Sequence, residues 1–279
     1  MSANFPFTHF HLHSEYYLRD GIVPIDALVK STKAKGMQAV ALTDRMNLFA
    51  AIKFYKAALS SGVKPIIGCD VILRDDANAP ETSCVFLCQN EVGYRHLTQM
   101  LSRAYTENQD ERGPWVNYEW LSAYAEGLIV LSGSLQGDVG QAILNNDIAE
   151  AEKRLAFWST LFENRFYIEL QRLDKPNEEH YCRVAASLAK KWDLPIIATN
   201  NIRFLEEEDF EAHEARVCIY EGKTLEDVAD NKRQGHRYSS KQYLRTPSEM
   251  AACFQEYPEA IVNAQELAKR CNVHIELGK

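Results

Sequence analysis

No GxGxxG turn, no CxxC pair and no apolar run near the ~20 residues of a membrane span occurs in these 279 residues. Those absences argue against a dinucleotide crevice, a zinc ribbon or dithiol redox centre, and a spanning helix. A basic excess is missing too. The net charge of −8 is wrong for a protein whose main surface grips nucleic acid, although it leaves room for a local basic patch. The start, "MSANFPFTHF", has no basic segment followed by an apolar run, which predicts a cytoplasmic protein with no membrane partner. The seven cysteines are odd in number and scattered, several in apolar runs such as "CVFLC", and read as buried reduced thiols.

What is present is an ordinary globular composition, 46% hydrophobic and 25% charged, in a chain long enough for a full core. Short apolar runs at Phe7–His13, Ala39–Thr43, Pro65–Val71, Cys84–Cys88, Leu128–Leu131, Phe166–Leu170 and Pro195–Thr199 have the length and residue types of buried strands. Between them lie helical patterns over Pro24–Lys35, Leu48–Ser60, Val92–Tyr105, Val139–Asn145, Ile148–Phe162 and Asn177–Trp192. The alternation predicts a parallel sheet with helices outside, closed or nearly closed into a barrel. After Phe204 an acidic amphipathic helix, a polar and locally basic segment and two helices opened by Pro247 and Pro258 follow. "NVHIELGK" at the end reads as a strand that begins and stops, as in a piece of a longer chain. The expected division is a barrel core over 1–205 and a helical extension over 206–279.

In such a barrel, reactive side chains gather at the C-terminal ends of the strands. The first strand ends in His11-Leu12-His13, and the period of two points both imidazoles to one side, as a pair of metal ligands requires. His9 shares that parity but lies deeper, and reads as a core histidine. The other strand ends carry "TDRMN" (43–47), "GCD" (68–70), "SGSLQGDVG" (132–140), Glu169 and "TNNIRF" (199–204). Glu169 reads as an interior carboxylate bonded to a neighbouring arginine. The group Lys232, Arg233, Arg237, Lys241 and Arg245 reads as a solvated segment before a DNA track.

The ordered motifs "HFHLHSEYYLRDG", "ALTDRMNLFAAIKFY", "GVKPIIGCDV", "NEVGYRHLTQMLSRAY", "LSGSLQGDVGQAI", "FYIELQR" and "IIATNNIRFL" resemble the polymerase and histidinol phosphatase (PHP) family. Within it they are similar to the PHP domains that open bacterial replicative polymerase alpha subunits, and the tail is similar to the connection into the polymerase region. The resemblance covers essentially the whole chain. It implies a distorted (β/α)7 barrel of PHP type with a short helical C-terminal extension. Metal-competent members hold a cluster of divalent ions that activates water against phosphoester bonds.

Carried over residue by residue, the resemblance leaves four ligand-type side chains, His11, His13, Asp20 and Asp70. Five positions have lost theirs: Arg45, Ser83, Ser134, Asn201 and Arg203 stand where the family has ligands. Arginine is always cationic and has no lone pair to give, a serine hydroxyl is a poor ligand, and asparagine offers only a neutral carbonyl. The expectation is therefore no catalytic residue and no resident metal, with at most a weak ion at His11, His13, Asp20 and Asp70. Arg45 and Arg203 are expected to fill the place of the lost ions and to pair with Asp70 and with Asp20 or Asp44. The resemblance implies a non-catalytic scaffold that binds the proofreading exonuclease subunit and other replicase subunits. In the full-length chain, a polymerase site using Mg2+ and most DNA contacts would lie elsewhere. An active phosphoesterase or 3′–5′ exonuclease is the alternative, and a free-standing amidohydrolase-like enzyme a third.

Overall fold

The computed structural model describes residues 6–225 and 238–278. Three of the basic residues singled out above, Lys232, Arg233 and Arg237, lie outside the described residues.

The six strands along the path of the main sheet are mostly apolar and buried along nearly their whole length, whereas the two-residue strands Gln109–Asp110 and Gly113–Pro114 are polar or half-buried. In chain order the strands are β1 (Ala39–Leu42), β2 (Lys64–Arg74), β3 (Thr82–Cys88), the two-residue β4 (Gln109–Asp110), β5 (Gly113–Pro114) and β6 (Val116–Asn117), then β7 (Leu128–Leu131), β8 (Phe166–Gln171) and β9 (Ile196–Thr199). The main sheet runs β1-β2-β3-β7-β8-β9, with β6 beside β2.

The expected Phe7–His13 strand is not a regular strand. Instead, residues 9–13 bridge the two free edges of the sheet. On one side Ala41 and Thr43 donate to the carbonyls of His9 and Leu12 at 2.9 and 3.0 Å. On the other, His13 donates to Ile202 and Ile202 to His11, at 3.0 and 2.9 Å. With this segment as the seventh stave the ring closes, as a distorted barrel, so few backbone groups are left orphaned at an edge.

The sheet is not wholly parallel. No helix separates β2 from β3, and a turn of seven residues joins them, so β3 runs antiparallel to both β2 and β7. A crossover needs about a dozen residues, which that turn cannot supply. The final "NVHIELGK" forms no strand among the described residues.

Helices cover the outside: α1 (Ile25–Ala34), α2 (Ala51–Ser61), α3 (Glu91–Glu107), α4 (Leu121–Tyr124), α5 (Asp138–Leu144), α6 (Ile148–Leu161) and α7 (Glu178–Lys191). After the barrel come α8 (Phe210–Glu221), α9 (Pro247–Cys253) and α10 (Pro258–Arg270). Local chemistry sets their starts: the side chains of Asn90 and Asp147 accept the first free N–H groups of α3 and α6, and Thr246 with Glu249 forms a capping box ahead of Pro247. The core runs without a break from the barrel into the extension, where Met250, Phe254, Ala260 and Leu267 are as buried as Phe86 and Trp158. All seven cysteines are free thiols, and six are buried. Among the described residues no helix is long and apolar enough to cross a membrane.

Candidate functional site

The ends of the staves place the sequence candidates around one mouth. Asp70 on β2 is its centre. Its Oδ2 accepts from Arg45 Nε at 2.8 Å and lies 3.2 Å from His13 Nε2 and 3.8 Å from His11 Nε2. Each imidazole is held from behind, because His11 Nδ1 donates to Glu169 at 2.9 Å and His13 Nδ1 to Asp20 at 2.8 Å. Carboxylates behind Nδ1 fix each ring so that its Nε2 faces inward, the second-layer arrangement typical of metal-binding histidines. Two inward lone pairs facing a carboxylate repel unless a proton or a cation lies between them.

Asp20 is fully engaged. Besides His13, its Oδ1 lies 3.2 Å from Arg203 Nε, an ion pair whose angle is not that of a hydrogen bond, and its Oδ2 accepts from Tyr238 OH at 2.8 Å. Arg203 also donates from Nη1 to the carbonyl of Ile202 at 3.0 Å. Asp44, the other carboxylate considered for Arg203, instead accepts from Ser14 N and Oγ at 2.6 and 2.7 Å. The neighbours set the charge states. Burial disfavours ionisation of Asp70, but Arg45 and the two histidines win and hold it well below the ordinary carboxylate range. Burial is likewise overcome at Asp20, by Arg203 and His13. At Asp44 burial prevails and pushes the carboxyl up. His11 is also buried against its charged form, yet Glu169 and Asp70 raise it.

Glu169 departs from expectation, for no arginine among the described residues bonds to it. His11, Thr199 Oγ1, Gln171 Nε2 and the backbone N–H of Gly133 are its donors. The last contact depends on glycine: at φ 77° a Cβ on Gly133 would lie 1.7 Å from the Ser83 carbonyl oxygen. Ser83 accepts weakly from Arg45 Nη2 at 3.4 Å, and Gln136 accepts from the same nitrogen at 3.0 Å. His9 donates from Nε2 to the Arg245 carbonyl at 2.8 Å, with Nδ1 unpartnered among the described residues. Of the remaining basic residues, Lys241 pairs with Glu207 at 2.6 Å and the buried Arg245 donates to the Arg172 carbonyl at 3.2 Å.

Sequence reasoning missed Gln136, Gln171, Thr199 and Tyr238. The period of two from Glu169 to Gln171 was a usable signal. Nothing local links Tyr238 to Asp20, 218 residues earlier.

His11, His13 and Asp70 bring three donor atoms within 4.8 Å of one another, a fit for a single ion. Their unused capacity supports that fit, since His11 Nε2 and Asp70 Oδ1 are buried without a hydrogen-bond partner among the described residues. A multi-ion cage does not fit. Two guanidinium groups occupy the carboxylates that would close it, and Asp20 has no free oxygen. Ser134 Oγ and Asn201 Oδ1, also buried and unpartnered, add only weak neutral donors.

The architecture is a mixed α/β barrel with histidines and carboxylates gathered at its strand ends. The PHP domain model matches residues 9–173, and the chain belongs to the PHP family. It is 43% identical over 274 residues to DNA polymerase III subunit alpha of Pseudomonas aeruginosa and 41% identical over 274 residues to that of Escherichia coli (strain K12). Each match covers 98% of this chain and 23% of the relative, so the chain spans about a quarter of the length of these proteins. Among solved structures it is similar in fold to an amidohydrolase from Chromobacterium violaceum with bound SO4. The TM-score is 0.51 at 13% identity, over 77% of this chain and 97% of that one.

Proposed function

We propose that this chain is the N-terminal PHP domain of a replicative DNA polymerase III alpha subunit, and that it serves there as a non-catalytic scaffold holding the proofreading exonuclease subunit. The identity to alpha subunits across 98% of the chain supports the first part. The second rests on one observation, that Arg45 and Arg203 lie on Asp70 and Asp20; the family resemblance implies ligands at both arginine positions in metal-competent members. A fixed cation there supplies the charge that ions would supply, without an exchangeable site for water activation. His11, His13, Asp20, Arg45, Asp70, Ser83, Ser134, Asn201 and Arg203 are then a vestigial metal site. The extension over 206–279 leads toward a polymerase region that uses Mg2+ and makes most of the DNA contacts, in a cytoplasmic replicase.

Capture of the purified exonuclease subunit by this chain, with and without chelator, tests the reading. Capture that survives chelation is expected; no capture under either condition sinks it. A second reading is favoured by the three converging donors: one divalent ion at His11, His13 and Asp70 serving an active phosphoesterase. One tightly held ion per chain after purification without chelator, together with phosphoester hydrolysis that chelator abolishes, would establish that reading against the scaffold.

A further inference from the structure

Charge is unevenly spread along the chain. Residues 22–64 hold seven lysines and arginines against two acids, Asp26 and Asp44, whereas the whole chain has 31 against 39. This stretch contains α1 and α2, which pack side by side on the outside of the barrel. Three of the seven cations are neutralised, Lys35 by Glu206, Arg45 by Asp70 and Lys53 by Glu15. Lys64 is a latch, donating to the Ala268 carbonyl at 2.7 Å and to Asn272 Oδ1 at 2.8 Å. What remains is Lys30, Lys33 and Lys56, all exposed and none ion-paired among the described residues. Neither acid of the stretch offsets them. Asp44 is buried on Ser14, and Asp26 lies in the first turn of α1, where the helix terminus itself favours a carboxylate.

The two helices bury matching faces, Leu28, Val29 and Thr32 on α1 and Phe54, Tyr55 and Ala58 on α2, which leaves the three lysines outward. Lys33 Nζ donates to the Ser61 carbonyl at 2.8 Å, so the C-terminal ends of α1 and α2 are level. Lys30 and Lys33 are one turn apart on α1, Lys56 stands on the neighbouring helix, and the axes of packed helices lie about 10 Å apart. The amines therefore span a width comparable to the major groove of B-form DNA, about 12 Å. We propose that this α1–α2 face binds the sugar-phosphate backbone of duplex DNA without reading its sequence; the proposal rests on the reading of the chain as part of a replicative polymerase alpha subunit. Contact with phosphates needs mobile cations and no shaped pocket, and three unpaired lysines on an otherwise acidic protein supply them. A single strand is the weaker fit, because the aromatic residues of α2, Phe54 and Tyr55, are buried and offer no stacking face. An acidic peptide is weaker for the same reason, since no aromatic anchor stands among the lysines.

The test uses the alpha chain at its full natural length and labelled primer–template duplexes of two unrelated sequences. Lys30→Ala, Lys33→Ala and Lys56→Ala combined change only exposed helix positions and should leave the melting temperature in place. Each lost phosphate contact makes the dependence of log affinity on log salt shallower by about one, so the combined variant should lose about two to three from that slope, equally for both sequences. The same three positions changed to arginine should keep the wild-type slope. Lys153→Ala, Lys191→Ala and Lys269→Ala combined remove lysines already paired with Glu150, Glu152 and Glu266, and should not alter it. An unchanged slope in the first variant, or an equal loss in both alanine variants, overturns the proposal and leaves the polymerase reading standing. If the wild type binds neither duplex, that reading itself fails. A first variant that keeps the DNA slope but loses binding of poly-glutamate would make the face a protein interface, and overturns the proposal as well.

Discussion

Arg45 Nε stands 2.8 Å from Asp70 Oδ2, on the oxygen that His13 Nε2 approaches to 3.2 Å. The backbone imposes this meeting: Arg45 and Asp70 form a parallel bridge, and Met46 N–H donates to the Asp70 carbonyl at 2.9 Å. A side chain at position 45 is therefore delivered to the centre of the mouth whatever its chemistry.

Replacing Arg45 by histidine should change the site from cation-filled to ion-accepting. Arg45→His removes the fixed charge and adds a donor beside His11, His13 and Asp70. Titration calorimetry with Zn2+ is expected to show binding at least about tenfold tighter than in the wild type. Unchanged affinity would mean that Arg45 is not what blocks the ion.

Arg203→Ala leaves Asp20 buried with only a histidine and a tyrosine against its charge. Breaking a buried pair in this way costs about 3 kcal/mol, so the melting temperature should fall by several degrees. An unchanged melting temperature would refute the pairing as a source of stability.

Tyr238→Phe deletes one hydrogen bond to the Asp20 carboxylate while keeping the ring against His213, 4.7 Å between centres. A bond to a charged group contributes about 2 kcal/mol, so a drop in the denaturant midpoint is expected, smaller than that for Arg203→Ala. A loss as large as that of Arg203→Ala would point to disruption of the whole extension.

Acid should weaken the fold before Asp20 and Asp70 titrate. Burial depresses His9 and His213 to about 4, from 6.5. Around His213, Asp20 works against that shift while Arg203 and His13 add to it; around His9, the Arg245 carbonyl and Glu249 oppose it while Arg245 and Lys35 add. Both pKa values are lowered in the folded state, so their contribution is complete above the unfolded value of 6.5 and is lost as pH falls toward 4. Between those two values the pair gives a slope of about 3 kcal/mol per pH unit; His11, which is raised, acts in the opposite sense only above 6.5. His213→Gln should remove about half of the slope. Denaturant midpoints at several pH values across this range would check it, and a slope unaltered by the substitution would exclude His213 as its source.

Much of the barrel was legible in the order of residues. Runs such as "LIVL" and "PIIAT" are too apolar and too short for anything but buried strands, and each lies within a residue or two of its reading. The ring of site positions was legible as well, since reactive side chains in a barrel follow the strand ends. The direction of β3 was not: strand sequences carry no sign of orientation, and only the length of the turn before it hinted at antiparallel pairing. The first stave misled for a related reason. Its alternating histidines look like a strand's face, but closing a ring between two parallel edges strains the pairing into isolated bridges.

Alone, the sequence determined which groups exist at the mouth: two imidazoles that can donate lone pairs, carboxylates that need a cation, and two arginines that can never be ligands. Those are properties of side-chain chemistry and survive any arrangement. Which carboxylate each arginine meets, that Glu169 is satisfied without one, and that Tyr238 from the extension takes the last oxygen of Asp20 were decided by the tertiary structure. Contacts between residues 25 to 218 positions apart depend on how the ring closes, and that is a property of the whole chain.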